Sequence, residues 1–344
     1  MAIAVPAGAR TLRAQIDRVD ATVAQLHAVD ATLAWPAGAA QGRLHLHAAR
    51  VHAPDLGYDL RDVTWQCALQ RDGNGRWRCD GGVRAGRSQP MRLAVDLGPE
   101  RTSAILAQGG ASIAIQRRAA VPDLTAIDVT AVPVAWAQAL LAQAWAAPQL
   151  QDGQLDAQLQ VRAGGDAPLQ VEGDLAFAGV GFDTPDGTVA GLDLGGRFTL
   201  DYRKAGADTI VGLDGALTGG EFLAGKAYVA LEGPVAVEVQ ARGTTGAGWQ
   251  VPQFAWRDPG VLVAEGSAAF GADASLQALD LQLQSEDASP LAGPLFIGNG
   301  NLDLVINDVD RQVAGLRFSN LVGERELERS GRRLDFNLRA RSEQ

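Results

Sequence analysis

The residues of this chain whose types and spacing could do chemistry are its histidines, its two cysteines and a scatter of aspartates. His45 and His47 stand at i and i+2, so a strand would set both on one face, as a pair of metal ligands requires. His27 and His52 lie nearby in sequence, but no third ligand has a spacing that completes a site, and solvated histidines are the simpler reading. Asp183, Asp186, Asp193 and Asp201 could supply the carboxylate pair of a glycoside hydrolase. They fall in turns or on the polar side of alternating runs, and an aromatic share of 6% is thin for a sugar-stacking cleft. No nucleophile elbow, phosphate loop, dinucleotide fingerprint or zinc helix occurs. The expectation is a non-enzyme with no catalytic residue, no metal and no cofactor.

Cys67 and Cys79 flank Arg71-Asp72-Gly73-Asn74-Gly75, a strong hairpin turn signal. Folding residues 63–70 back on 76–79 brings the sulfurs near each other, with Trp65 and Trp77 close by. Cross-strand Cβ atoms lie about 4.5–5.5 Å apart, so a bridge needs only a small adjustment. A disulfide implies an oxidising compartment such as the bacterial periplasm. Two reduced, half-buried thiols are the alternative.

The elements that must position these groups are strands. Leu155-Asp-Ala-Gln-Leu-Gln-Val161 alternates apolar and polar residues, and the rhythm returns in 43–48, 235–241 and 279–284. Side chains on a strand alternate between faces, so each segment makes a sheet with one wet and one apolar face. Some twenty such strands are expected, spaced about 8–15 residues apart as in antiparallel meanders. Thr188–Leu194 and Arg197–Arg203 read as separate strands broken at Gly195-Gly196. The mixed charges of Gly323–Gly331 read as a solvated loop or a short helical turn. One segment departs from the pattern. Pro133–Ala147 is rich in Ala and Leu, opens with Pro, and sets Val134, Ala137, Leu141 and Trp145 at helical spacing. It reads as a short helix capping a sheet end. The expected organisation is a leader or anchor remnant or disordered start at 1–10, a β region at 11–131, a helical divider at 132–148 and a second β region at 149–344.

The net charge of −10 argues against nucleic acid, which requires a basic footprint. No apolar run reaches the roughly 18–20 residues that a membrane helix needs. Met1–Arg10 reads as the tail of a signal peptide or anchor, with an ordinary frayed terminus as the alternative. An outer-membrane barrel is disfavoured, because only three tyrosines occur and no aromatic girdle is visible.

The chain resembles the AsmA-like proteins of Gram-negative envelopes, especially the YdbH-like branch related to TamB. The resemblance lies in alternating strands with Gly-rich turns, as in Gly187–Leu200, in Pro133–Leu141 between β regions, and in Asp258–Leu262 opening a strand. It implies an all-β fold, a long, twisted antiparallel meander curled into an apolar, β-taco-like groove. It also implies an inner-membrane anchor, here through a segment missing from this chain, and a periplasmic location. The implied function is lipid transport, moving or holding phospholipid between inner and outer membrane, with phospholipid and other envelope proteins as partners. An acyl chain needs an aliphatic, non-directional wall. The expected lining is Leu155, Leu159, Val161, Leu175, Phe177, Phe198, Leu200, Val235, Val237, Val239, Leu279, Leu281, Leu283, Leu302, Leu304 and Ile306. The alternative is that these residues pack on one another as a β-sandwich core, in a structural component of an envelope or secretion assembly.

Overall fold

The computed structural model describes residues 10–20, 24–144, 148–164, 167–224, 227–231, 233–244, 246–258, 261–272, 276–285, 295–298, 302–307, 313–318, 321–330 and 333–342. Among them the fold is all-β, an antiparallel meander with one short helix. The chain divides into two units, Met1–Ala146 and Ala147–Gln344.

The first unit contains β1 (Arg10–Asp20), β2 (Gln25–Trp35), β3 (Gln41–Ala53), β4 (Tyr58–Arg71), β5 (Trp77–Ala85), β6 (Met91–Leu97), β7 (Arg101–Gln108), β8 (Ala111–Arg118) and β9 (Leu124–Pro133). Each strand pairs antiparallel with the next along the chain. The turns follow from local chemistry. Between β4 and β5 the Asp72 carboxylate accepts the N–H groups of Asn74 and Arg76, both at 2.9 Å, and Gly75 takes a left-handed φ of 78°.

The helical segment is shorter than its sequence suggests. Pro133 stays extended as the last residue of β9, Val134–Ala137 form a 3-10 turn, and only Gln138–Ala144 (α1) are α-helical. Residues 145–147, Trp145 among them, lie outside the described residues. Val134 is buried, and the Tyr58 hydroxyl donates to the Trp136 carbonyl, which holds the segment on the start of β4.

The second unit contains β10 (Gln149–Leu150), β11 (Gln154–Arg162), β12 (Leu169–Asp183), β13 (Val189–Ala205), β14 (Asp208–Ala224), β15 (Ala227–Leu231), β16 (Val235–Thr244), β17 (Gly248–Asp258), β18 (Leu262–Phe270), β19 (Leu276–Ser285), β20 (Leu295–Gly298), β21 (Leu302–Asn307), β22 (Val313–Phe318), β23 (Leu321–Ser330) and β24 (Arg333–Ser342). Its main ladder runs β11-β12-β13-β14-β16-β17-β18-β19-β24-β23. β10 and β15 pair with the far ends of β12 and β14, and β20 to β22 form a separate three-stranded sheet. Neighbouring strands twist by about 20–25°, so an open ladder this wide curls.

Two sequence expectations are corrected here. Gly195-Gly196 does not end a strand: β13 continues through it with shifts of register. Residues 323–330 are not a loop but most of β23, where Glu324 stands opposite Arg339 of β24. Their charges alternate with period two, which suits a strand as well as a solvated turn.

A crease crosses the strands of each unit. In the first, Ala28 and Asp62 have positive φ of 47° and 51°, and the ladder omits the pairs of Asp17 with Ala28, Ala28 with Ala49 and Ala49 with Asp62. Apolar residues that flank the crease are three apart, not two: Ile16 and Val19, Leu26 and Val29, Ala48 and Val51, Leu60 and Val63. A left-handed residue inside a strand resets the alternation, so the apolar face continues past it. In the second unit Gly179, Asp193 and Gly220 take φ of 64°, 52° and 103° on adjacent strands, beside register shifts at Phe177/Val180 and Leu192/Gly195. Glycine adopts these angles without a Cβ penalty.

Candidate functional site

Residues directly paired across a ladder share a face, so the registers show which expected lining residues meet. Leu159, Gly173, Leu200, Leu213, Val239, Phe254, Gly266 and Leu281 form one line across eight strands, β11 to β14 and β16 to β19. A second line beside it holds Ala157, Leu175, Phe198, Gly215, Val237, Trp256, Ala264 and Leu283. Leu155, Phe177, Gly196, Leu217 and Val235 make a third, and Val161, Val171, Tyr202, Val211 and Ala241 a fourth. Leu279 joins through Ala268 and Val251.

Thirteen of the sixteen expected lining residues therefore share one sheet face. The other three, Leu302, Leu304 and Ile306, belong to β21 in the separate three-stranded sheet. Their side chains lie outside the described residues.

This face is neither plugged nor bare. Val235, Phe198, Leu281 and Leu283 are buried, Val235 completely. Leu155, Leu159, Val161, Leu175, Phe177, Leu200, Val237, Val239 and Leu279 are half-buried. Phe177 and Phe198 stack with ring centres 5.9 Å apart, over Gly196, where a Cβ would meet both rings. Phe222 meets Trp256 edge-on at 5.8 Å. Tyr202 and Trp256 are the residues in the four lines with a polar side-chain atom, a phenol and an indole N–H.

The opposite face carries the charges. Thr199 donates to Asp174 at 2.9 Å, Gln253 to Glu238 at 2.9 Å and Arg339 to Asp280 at 3.1 Å, while Arg257 pairs with Glu265 at 2.7 Å. A shallow depression on this polar side, where Gly212 lies between Asp201 and Gln240, is lined by Thr199, Asp214, Glu238 and Arg242.

The first unit has a face of the same character, which the expected lining omits. Leu12, Leu33, Leu44, Cys67, Gly81, Leu93, Leu106, Ile113 and Val129 follow one another from β1 to β9. The alternation in 43–48 was the available signal. Cys67 and Cys79 are bonded on this face, with Cα atoms 5.4 Å apart and both residues buried. They lie on a diagonal, since Cys67 faces Gly81 and Cys79 faces Leu69. Trp77 meets Trp35 edge-on at 6.0 Å, and the Trp35 ring covers Gly42. On the other side bidentate pairs link Arg50 to Asp59, Arg76 to Asp96 and Arg92 to Asp80. Each arginine's hydrogen bonds hold its carboxyl partner below the ordinary carboxylate value.

The other chemistry-bearing residues do not converge. His47 approaches Asp30 through Nδ1 at 4.0 Å and Asp62 through Nε2 at 3.9 Å, so its two nitrogens point to different carboxylates. His45 is exposed, and His27 and His52 stand opposite Arg50 and Asp59. Among the described residues no group of three side chains could hold a metal ion. Asp186 accepts from the Thr184 and Thr188 hydroxyls and the Thr188 N–H, which closes the β12–β13 turn and lowers its pKa. Asp193 sits in the crease and Asp201 on the polar face. Among the described residues no helix is long and apolar enough to cross a membrane. No protein-family model, curated protein or solved structure matches the chain.

Proposed function

We propose that this chain is a lipid-binding or lipid-conduit module of the AsmA-like type, holding phospholipid acyl chains against the apolar face of β11 to β19 without covalent chemistry. The observation that carries the reading is the four adjacent apolar lines, half-buried over most of their length. A hydrocarbon chain is recognised by area removed from water, with no directional partner, and this face offers area with one phenol and one indole N–H as its side-chain polar groups. The buried disulfide supports the periplasm as the compartment, because such bonds persist where thiols are oxidised. In that setting the module holds or moves phospholipid between the inner and outer membranes, with envelope proteins as partners.

The test is lipid extraction and mass spectrometry of protein purified from cell envelopes, followed by uptake of a fluorescent phospholipid. Co-purified phospholipid and saturable uptake are expected. Lipid-free protein that takes up no phospholipid would overturn the proposal and favour a dry structural component of an envelope assembly.

A further inference from the structure

On the apolar side of the first unit, the outermost line at one end differs from the lines behind it. Arg71, Trp77, Leu97, Thr102 and Arg117 face one another in turn from β4 to β8. Each stands two residues from a member of the line behind, which runs through Leu69 and Cys79, so it shares that line's side. The Arg71 guanidinium lies 5.2 Å over the Trp77 ring. Arg71, Arg117 and Leu97 are exposed, Leu97 to 49%. In the line behind, Arg10 faces Trp35, whose ring meets Trp77 edge-on. The opposite end of β4 carries Tyr58, whose hydroxyl holds the helical segment.

Outside the crease, Arg10, Arg71 and Arg117 are the charged residues that the apolar side of β1 to β9 carries among the described residues, and all three stand at this end. None of them meets a carboxylate among the described residues, whereas Arg50, Arg76 and Arg92 on the polar side are each held by an aspartate. Asp72, next to Arg71 in sequence, is engaged by the turn N–H groups of Asn74 and Arg76. Resting on the lipid-binding reading, we infer that Arg71, stacked on Trp77, receives the phosphate of an anionic phospholipid whose acyl chains lie on the apolar face of the first unit. An arginine laid on an indole keeps the edge of its fork free, and that edge matches two phosphate oxygens. A tryptophan suits a border with hydrocarbon on one side and water on the other. Unpaired cations at the wet border of an apolar face complement an amphiphile that carries its anion at one end.

The experiment mixes the full chain with a phosphatidylethanolamine whose amine is acylated by a benzophenone, which leaves the phosphate charge uncompensated. The complex is irradiated and the cross-links are mapped by mass spectrometry, with melting curves to confirm that each variant is folded. Cross-links within 69–78 and 97–102 are expected. Arg71→Ala is expected to lower them about tenfold. Arg84→Ala, which removes an exposed arginine from the polar side of β5, is expected to leave them unchanged. Arg71→Lys keeps the charge but loses the fork and the stack, and an intermediate loss of about threefold is expected. Phosphatidylglycerol is expected to compete about tenfold better than diacylglycerol of the same chains. Cross-links that fall elsewhere, or that are indifferent to Arg71→Ala, would overturn the inference and leave lipid binding standing. Inorganic phosphate that competes as well as phosphatidylglycerol would mark a site for the free anion and overturn it as well. A chain that takes up no lipid at all would remove the lipid-binding reading, and this site with it.

Discussion

Leu200→Asp is expected to weaken lipid binding sharply while Gln240→Asp leaves it unchanged. The two positions belong to strands of one sheet separated by β14, and to opposite faces: Leu200 is half-buried between Gly173 and Leu213, and Gln240 is exposed beside Gly212. Strands lie about 4.8 Å apart, so the apolar lines over eight strands extend about 34 Å. One leaflet of a bilayer core is about 15 Å deep, so an acyl chain laid across this face covers three or four strands. A carboxylate in the middle of that path keeps its water and displaces roughly three methylenes from the wall. At about 0.8 kcal/mol per methylene the loss is about 2.4 kcal/mol, or roughly fifty-fold in affinity. The assay is displacement of a fluorescent phospholipid, read with each variant's melting curve. If Leu200→Asp is folded and binds within about threefold of the parent, hydrocarbon does not lie on this face and the reasoning fails.

Three further outcomes concern the frame that holds the face. The Cys67–Cys79 bond spans a sequence separation of 12, and removing it by reduction or by double substitution to serine is expected to cost about 3 kcal/mol, measured by denaturant unfolding. Gly215→Ala drives a Cβ into the Arg197 carbonyl oxygen and the Phe198 Cα on β13, so separation of these strands is expected to cost about 1–3 kcal/mol by the same measurement. Asp59, Asp80 and Asp96 titrate below their ordinary 3.8 because arginines bond them in the fold, so each stabilises the native state above that value and ceases to do so as the pH falls through the folded pKa. Melting temperature is expected to drop below about pH 4, and less steeply in Asp80→Asn.

Much of the fold was legible because strand alternation is written locally. β11 begins and ends where its pattern does, at Gln154 and Arg162. The parts that were not legible depend on partners. A glycine pair looks like a turn until two neighbouring strands are seen to run past it, as β12 and β14 run past Gly195-Gly196. Residues 323–330 look like a loop until β24 is seen to pair with them. The helix was recognised by composition, but its first turn is set by the extended Pro133 and by the contact from Tyr58, 78 residues away from Trp136. Thirteen of the expected residues share one sheet face, because period two is written locally, while the three in β21 carry the same pattern on a different sheet.

The amino-acid sequence by itself determined that this protein is a set of two-faced strands joined by tight turns, because a period of two and the turn residues act within a few positions of the chain. Only the tertiary structure decided which apolar sides align into one face and where the creases carry that face past a change of alternation. Those properties arise from register between segments far apart in the chain, and a shift of one residue in register would have turned every leucine of a strand to the other side.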